Sequence, residues 1–180
     1  MAFPYSAGDV VLADDLNYLK DGLDERVWSL NYTIVEDTPN PGTGGTITGT
    51  VDNVLDNSRS SSVYVKQEGN NASSTWTAVV DLGEVKEFDG YAVYTKASKG
   101  SYGDVSVTIS ISDDNSTYTT LFSFSPSGTT WETVDKITTG KFSARYFKFE
   151  IVCTENTSDT SYIAEAYLYL FTPIRLLSVW

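Results

Sequence analysis

Chemistry needs nucleophiles, bases and metal ligands, and this sequence holds no histidine and a single cysteine, Cys153. A Ser-His-Asp or Cys-His arrangement is therefore unavailable, as is a zinc site of His/Cys composition. Carboxylates are plentiful, 24 Asp and Glu in all, and a glycosidase needs only two at a suitable separation. Here they fall mostly in turn-like and linker-like stretches, where solvated charge accounts for them. No glycine-rich loop opens a helix in the manner of a phosphate site. The expectation is a protein that is not an enzyme. Cys153 lies in the apolar run FKFEIVC, which predicts a buried, inert thiol, and a lone cysteine forms no intrachain disulfide.

The 180 residues suffice for one ordinary domain and a modest extra segment. Hydrophobic residues make up 41%, enough for a core, and the 12 Tyr with abundant Thr and Ser favour pleated strands over helices. The formal net charge of -12 repels phosphate backbones and anionic bilayers, so nucleic acid is not an expected partner. No apolar stretch approaches the roughly 20 residues that span a bilayer, so membrane insertion is not expected either. The start, MAFPYSAGDVV, lacks a basic segment followed by a long apolar run, so no signal peptide is read there.

Along the chain, Leu12, Leu16, Leu19, Leu23 and Leu30 recur at helical spacing, which predicts a short N-terminal helical anchor or oligomerisation segment within residues 1–35. Its apolar stripe needs a surface, supplied either by its own domain or by other subunits. Pro39, Pro41, Gly42, Gly44 and Gly45 mark residues 36–48 as a linker without helix or strand. Residues 49–171 read as short strands between turns. Alternation is clearest in VSVTISIS, with Val105, Val107, Ile109 and Ile111 facing a core. WTAVVDLG, GYAVYT, ARYFKFEIVC and YIAEAYLYLF are further strand candidates. About eight such strands predict an all-β, jelly-roll β-sandwich. Residues 172–180 form an apolar tail, expected to pack on the N-terminal helix or at a subunit interface.

Four motifs in order give this region a family likeness. They are TVDNVLDN (Thr50 to Asn57), the Trp76 and Val80-Asp81-Leu82-Gly83 pair, Ser112-Asp113-Asp114-Asn115 with Tyr118, and Ala144-Arg145-Tyr146. Together they resemble the discoidin, or coagulation-factor type C (galactose-binding-like), family. The likeness implies a β-sandwich that binds sugars, lipids or proteins through loops at one end, and an Arg145 that holds the fold together. The family's terminal disulfide is missing, and the linking segments KQEGNNASS and TKASKGSYGD are polar rather than apolar, against a lipid role. With no His, the pocket of the fold's fucose-binding lectins is absent.

For a sugar site, the likeness leaves an aromatic face with polar hydrogen-bonding groups. Trp76, Tyr102 and Tyr64 are the stacking candidates, and Asn70, Asn71, Lys96 and Lys99 the polar ones. Trp76 has a competing role as a core residue. Related domains hold a structural calcium between the early Asp-rich turn and a Glu near the last strand, which points to Asp52, Asp56, Asn57 and Glu165. Those residues read equally well as ordinary turn Asp and Asn.

The start AGDVVLADDLNYL (Ala7 to Leu19) is similar to docking segments of phage tail, fibre and decoration proteins. The expectation is a virion structural protein made in the host cytoplasm. It would join other virion proteins through residues 9–30 as a homotrimer, and its sandwich would meet a host surface glycan or a neighbouring virion protein. A non-lectin cement protein of the particle and a bacterial carbohydrate-binding module are the alternatives.

Overall fold

The computed structural model describes residues 31–55, 61–69, 71–99 and 103–154, and the backbone alone of a last strand at 161–171; side chains 89, 136 and 137 are outside the description. The N-terminal Leu stripe and the apolar tail lie outside these residues. The strands are β1 (Thr33–Asn40), β2 (Gly45–Thr48), β3 (Val63–Glu68), β4 (Ser73–Ser98), β5 (Asp104–Ser112), β6 (Thr119–Phe124), β7 (Glu132–Thr154) and β8 (Ser161–Phe171). One helix, α1 (Val51–Leu55), precedes β3. Among the described residues no helix is long and apolar enough to cross a membrane.

β4 and β7 are each far longer than an ordinary strand because each serves both sheets of an all-β sandwich. The first half of β4 pairs with β1 on one side and with the second half of β7 on the other, and β7 in turn pairs with β5, then β6. The second half of β4 pairs with β8 and the first half of β7, and β8 continues to β3 and β2. Register breaks between Asp81 and Lys86 and between Phe88 and Gly90 let β4 turn the corner, as bulges do where strands change sheets. Gly83 opens that corner at φ 81°, a conformation a side chain disfavours.

Alternation then fills the space between the sheets. Val105, Val107 and Ile109 of β5, Trp76, Ala78 and Val80 of β4, and Phe147, Phe149, Ile151 and Cys153 of β7 are all buried. At the corner Phe88 stacks on Phe142 at 5.1 Å and meets Phe147 edge-on at 5.7 Å. Burial pushes the Cys153 thiol up to about 12, so it stays protonated.

Residues 36–48 are not a linker. Most of them are β1 and β2, joined by a tight turn in which the Gly45 amide donates to the Gly42 carbonyl at 2.7 Å. β1 is an edge strand that pairs only with β4 among the described strands, a setting that accepts Pro39. A Cβ on Gly42 would overlap the Ser73 carbonyl oxygen, so glycine there permits close packing rather than slack. The early Asp-rich segment is also not a bare turn, since Val51–Leu55 is helical with Val51 and Val54 in the core.

Candidate functional site

Register fixes which connections share an end of the sandwich. Ser73 lies beside Thr154, and Thr154 beside Asp104; Ala97 lies beside Glu132, Glu68 beside Ser161, and Asn40 beside Thr75. The β1–β2, β3–β4, β4–β5 and β6–β7 connections therefore gather at one end. α1, the β4 corner, the β5–β6 turn and the start of β1 occupy the other.

Buried polar contacts hold the loop end in place. The Gln67 side chain, with no exposure, donates from Nε2 to the Thr43 carbonyl at 2.8 Å and the Gly69 carbonyl at 3.0 Å. Its Oε1 accepts from the Ser74 hydroxyl at 2.7 Å, and that hydroxyl accepts from the Gly42 amide at 3.1 Å. One amide thus ties the β1–β2 and β3–β4 turns together. On the other side the Lys99 amide donates to the Gly128 carbonyl at 3.2 Å, joining the β4–β5 and β6–β7 connections. Glu132 Oε1 accepts from the Ser127 amide (2.6 Å), the Ser127 hydroxyl (2.8 Å) and the Gly128 amide (3.1 Å). These bonds, the hydroxyl's first, hold the Glu132 carboxyl below its usual range.

From this anchored β6–β7 loop projects Trp131, 52% exposed. Reading the sequence for a stacking face passed it over. Its signal is a large aromatic closing the polar, turn-rich run SPSGTTW just before an alternating strand, where no core position calls for it. Asn71, exposed at φ 48°, and the half-buried Lys99 share the same end.

The residues expected to bind a sugar are divided by the structure. Trp76 is a correction: it is fully buried, and its Nε1 donates to Asp37 Oδ1 at 2.7 Å, so its ring offers no face to a ligand. Tyr64 and Lys96 lie not in loops but within β3 and β4, half-buried, and both are in register with position 165 of β8. Lys96 Nζ stands 5.6 Å from the centre of the Tyr94 ring. Asn71 and Lys99 are at the loop end, and Asn70 and Tyr102 lie outside the described residues.

Of the four calcium candidates, Asp56 and Asn57 are outside the described residues, and Glu165 is placed by its backbone alone. Asp52 is exposed, and its Oδ1 accepts from the Tyr32 hydroxyl at 2.5 Å. Among the described residues no group of three or more His, Cys, Asp or Glu comes together.

Three motif residues have structural roles. The Arg145 guanidinium grips Asp81 through two bonds of 2.8 Å. That pairing, with the Gly83 amide donating to Asp81, lowers the Asp81 pKa from 3.8 to about 2. At the opposite end a shallow cleft of about 330 Å³ is lined by Ile111, Ser112, Asp114 and neighbours. Its Asp114 carboxylate is spent on the turn, accepting from the Thr117 and Ser116 amides and the Ser112 hydroxyl at 2.9 Å each. Those bonds hold the carboxyl well below its usual range.

The F5/8 type C domain model matches residues 37–166, well over half of the chain. The chain belongs to the F5/8 type C family. The match begins inside β1, in agreement with the strand found where a linker was expected. No curated protein sequence matches this F5/8 type C chain. Among solved structures it is similar to a Ruminococcus gnavus GH29 fucosidase in complex with fucose, at 12% identity and a TM-score of 0.47, over 90% of this chain and 29% of that one. It is also similar to the CBM32 of AlyQ in complex with 4,5-unsaturated mannuronic acid (23%, TM-score 0.37, 79% and 98%). A third is the enzymatically active domain of bacteriophage CBA120 tailspike protein 4 (16%, TM-score 0.46, 83% and 20%). The F5/8 type C chain thus spans less than a third of the fucosidase and of the tailspike.

Proposed function

We propose that this F5/8 type C domain is a non-catalytic glycan-binding module whose loop end meets the sugar, with Trp131 as the stacking face. The observation that carries the reading is the half-exposed indole on a loop fixed by three hydrogen bonds to Glu132. An aromatic plane held rigid beside amide and hydroxyl groups suits the apolar face of a pyranose ring and its hydroxyls. Asn71 and Lys99 stand at the same end to supply polar contacts.

A glycan array probed with the full chain tests this. Trp131→Ala is expected to abolish the binding seen with the wild type while changing stability by less than about 0.5 kcal/mol, as exposed positions do. Retained binding in that variant would place the site elsewhere. Running the array and thermal melts with calcium and with chelator tests the Asp52, Asp56, Asn57 and Glu165 site, whose occupation would raise the melting temperature.

A particle-borne setting is favoured by the phage-like Ala7–Leu19 segment and by exposed apolar side chains at the end opposite the loops. Ile34, Val35 and Val85 are 45–50% exposed there, around the point where the chain passes from residue 30 into β1. In this arrangement the domain is anchored at one end, as a trimer through residues 9–30, and presents its loops at the other. A stable monomer by mass measurement at micromolar concentration would remove the trimer.

A further inference from the structure

Residues 127–131, the loop that ends on Trp131, are tied at both ends and in the middle. Pro126, buried, precedes them with its φ fixed by the ring. Glu132 follows them, in register with the fully buried Ala97 of β4. Between these ends Gly128 is held through both of its backbone groups: its amide donates to Glu132 Oε1 at 3.1 Å, and its carbonyl accepts from the Lys99 amide at 3.2 Å. Ser127 brings its amide and hydroxyl to the same Glu132 oxygen, at 2.6 and 2.8 Å. Thr129 and Thr130, which complete the loop, are exposed. Two parts are open to a carboxylate beside a stacking ring: it can accept from sugar hydroxyls, or it can hold the ring where the sugar meets it. Three donors already converge on Oε1, which fills the lone pairs of that oxygen.

We infer that Glu132 is the positioning residue of the Trp131 site: it touches no sugar, and it sets the affinity by fixing the loop and with it the indole. Were the loop loose, each binding event would have to order residues 127–131 and the ring, and that ordering cost weakens binding. Gly128 supplies the control. A Cβ there would meet nothing within 4 Å, and its φ is not in the left-handed region, so Gly128→Ala changes the loop's sequence while keeping both backbone bonds. This inference rests on the reading of Trp131 as the stacking face of a glycan site and assigns the residue that holds it.

The test uses the full chain, isotope-labelled at the tryptophan indole nitrogens, with the Trp131 resonance assigned by its loss in Trp131→Ala. Relaxation of that resonance reports how firmly the indole is held. Titration with the methyl glycosides of galactose, glucose, N-acetylgalactosamine and N-acetylglucosamine reports the affinity. Glu132→Ala is expected to loosen the indole and to weaken binding about three- to tenfold, with a melting temperature close to that of the wild type. Glu132→Gln, whose amide oxygen still accepts from the loop, should restore the firm indole and most of the affinity, and Gly128→Ala should match the wild type in both. A firm indole in Glu132→Ala would overturn the inference and leave the glycan site standing. So would a Glu132→Gln chain that keeps the firm indole and loses the sugar, since Glu132 would then be a contact. If none of the four glycosides binds the wild type, or if binding survives Trp131→Ala, the reading of Trp131 as the stacking face falls and the positioning role with it.

Discussion

Asp37 is a single side chain that joins three parts of the fold. Its Oδ1 accepts from the Trp76 indole at 2.7 Å, and its Oδ2 accepts from the Val51 amide at 2.9 Å at the start of α1. An edge strand, a core aromatic and a helix are thereby pinned to one carboxylate, and the buried Trp76 ring lies 6.5 Å from that of Phe149 on the neighbouring strand β7. Removing the indole N–H while keeping an aromatic ring leaves that half-buried carboxylate short of a donor. Trp76→Phe is therefore expected to cost about 2–3 kcal/mol, and Trp76→Ala about 3–5 kcal/mol, by denaturant unfolding. Trp131→Ala, in contrast, should leave unfolding almost unchanged. Of the two parts open to Trp76, stacking face or core, the structure gives it the core, and the exposed indole is that of Trp131, to which the sequence reading assigned no part. Trp76 stands in the family motif and beside a strand, which fits either a ligand or a core; only the pairing of β1 with β4 reveals the carboxylate waiting for its N–H.

At the scale of elements, strands with a clean alternation were legible, and strands that depend on distant partners were not. β5 reads directly from Val105, Val107 and Ile109, because each side chain's face follows from its position alone. β1 carries Glu36, Asp37 and Pro39 and has few apolar residues, so its existence rests on β4, some 40 residues away. The glycines that suggested a linker serve instead to bring the β1–β2 turn against β4 and onto Gln67. That amide is the test of how the loop end is held. Gln67→Leu removes the donors for the Thr43 and Gly69 carbonyls and should cost about 2–4 kcal/mol. Hydrogen exchange should locate the effect: amides of Gly42, Gly45 and Asn71 are expected to exchange far faster, with β5 amides following only the global loss of stability. Uniform acceleration across β5 and the turns would show that Gln67 serves the core rather than the loops.

For the whole molecule, the carboxyl groups of Asp81, Asp114 and Glu132 are all shifted in one direction, downward. A carboxyl whose pKa folding depresses adds stability above its unfolded pKa and surrenders it as pH falls through its folded value. For Asp81 that window runs from 3.8 down to about 2, and the other two add losses in the same sense below their ordinary ranges of 3.8 and 4.5. These groups hold separate places: the β4 corner against Arg145, the β5–β6 turn, and the loop beneath Trp131. Acid should therefore loosen the corner, the turn and the Trp131 loop together while the aromatic core is untouched. The melting temperature is expected to be flat from pH 7 to about 5 and to fall steeply below about 4. Asp81→Asn should melt lower at neutral pH, having lost the charged pairing with Arg145, yet show a shallower fall between pH 4 and 2 because one of the titrating groups is gone. Parallel curves for the two proteins would mean that the Asp81–Arg145 pair contributes nothing to acid sensitivity, and that the loss arises at the turn and the loop instead.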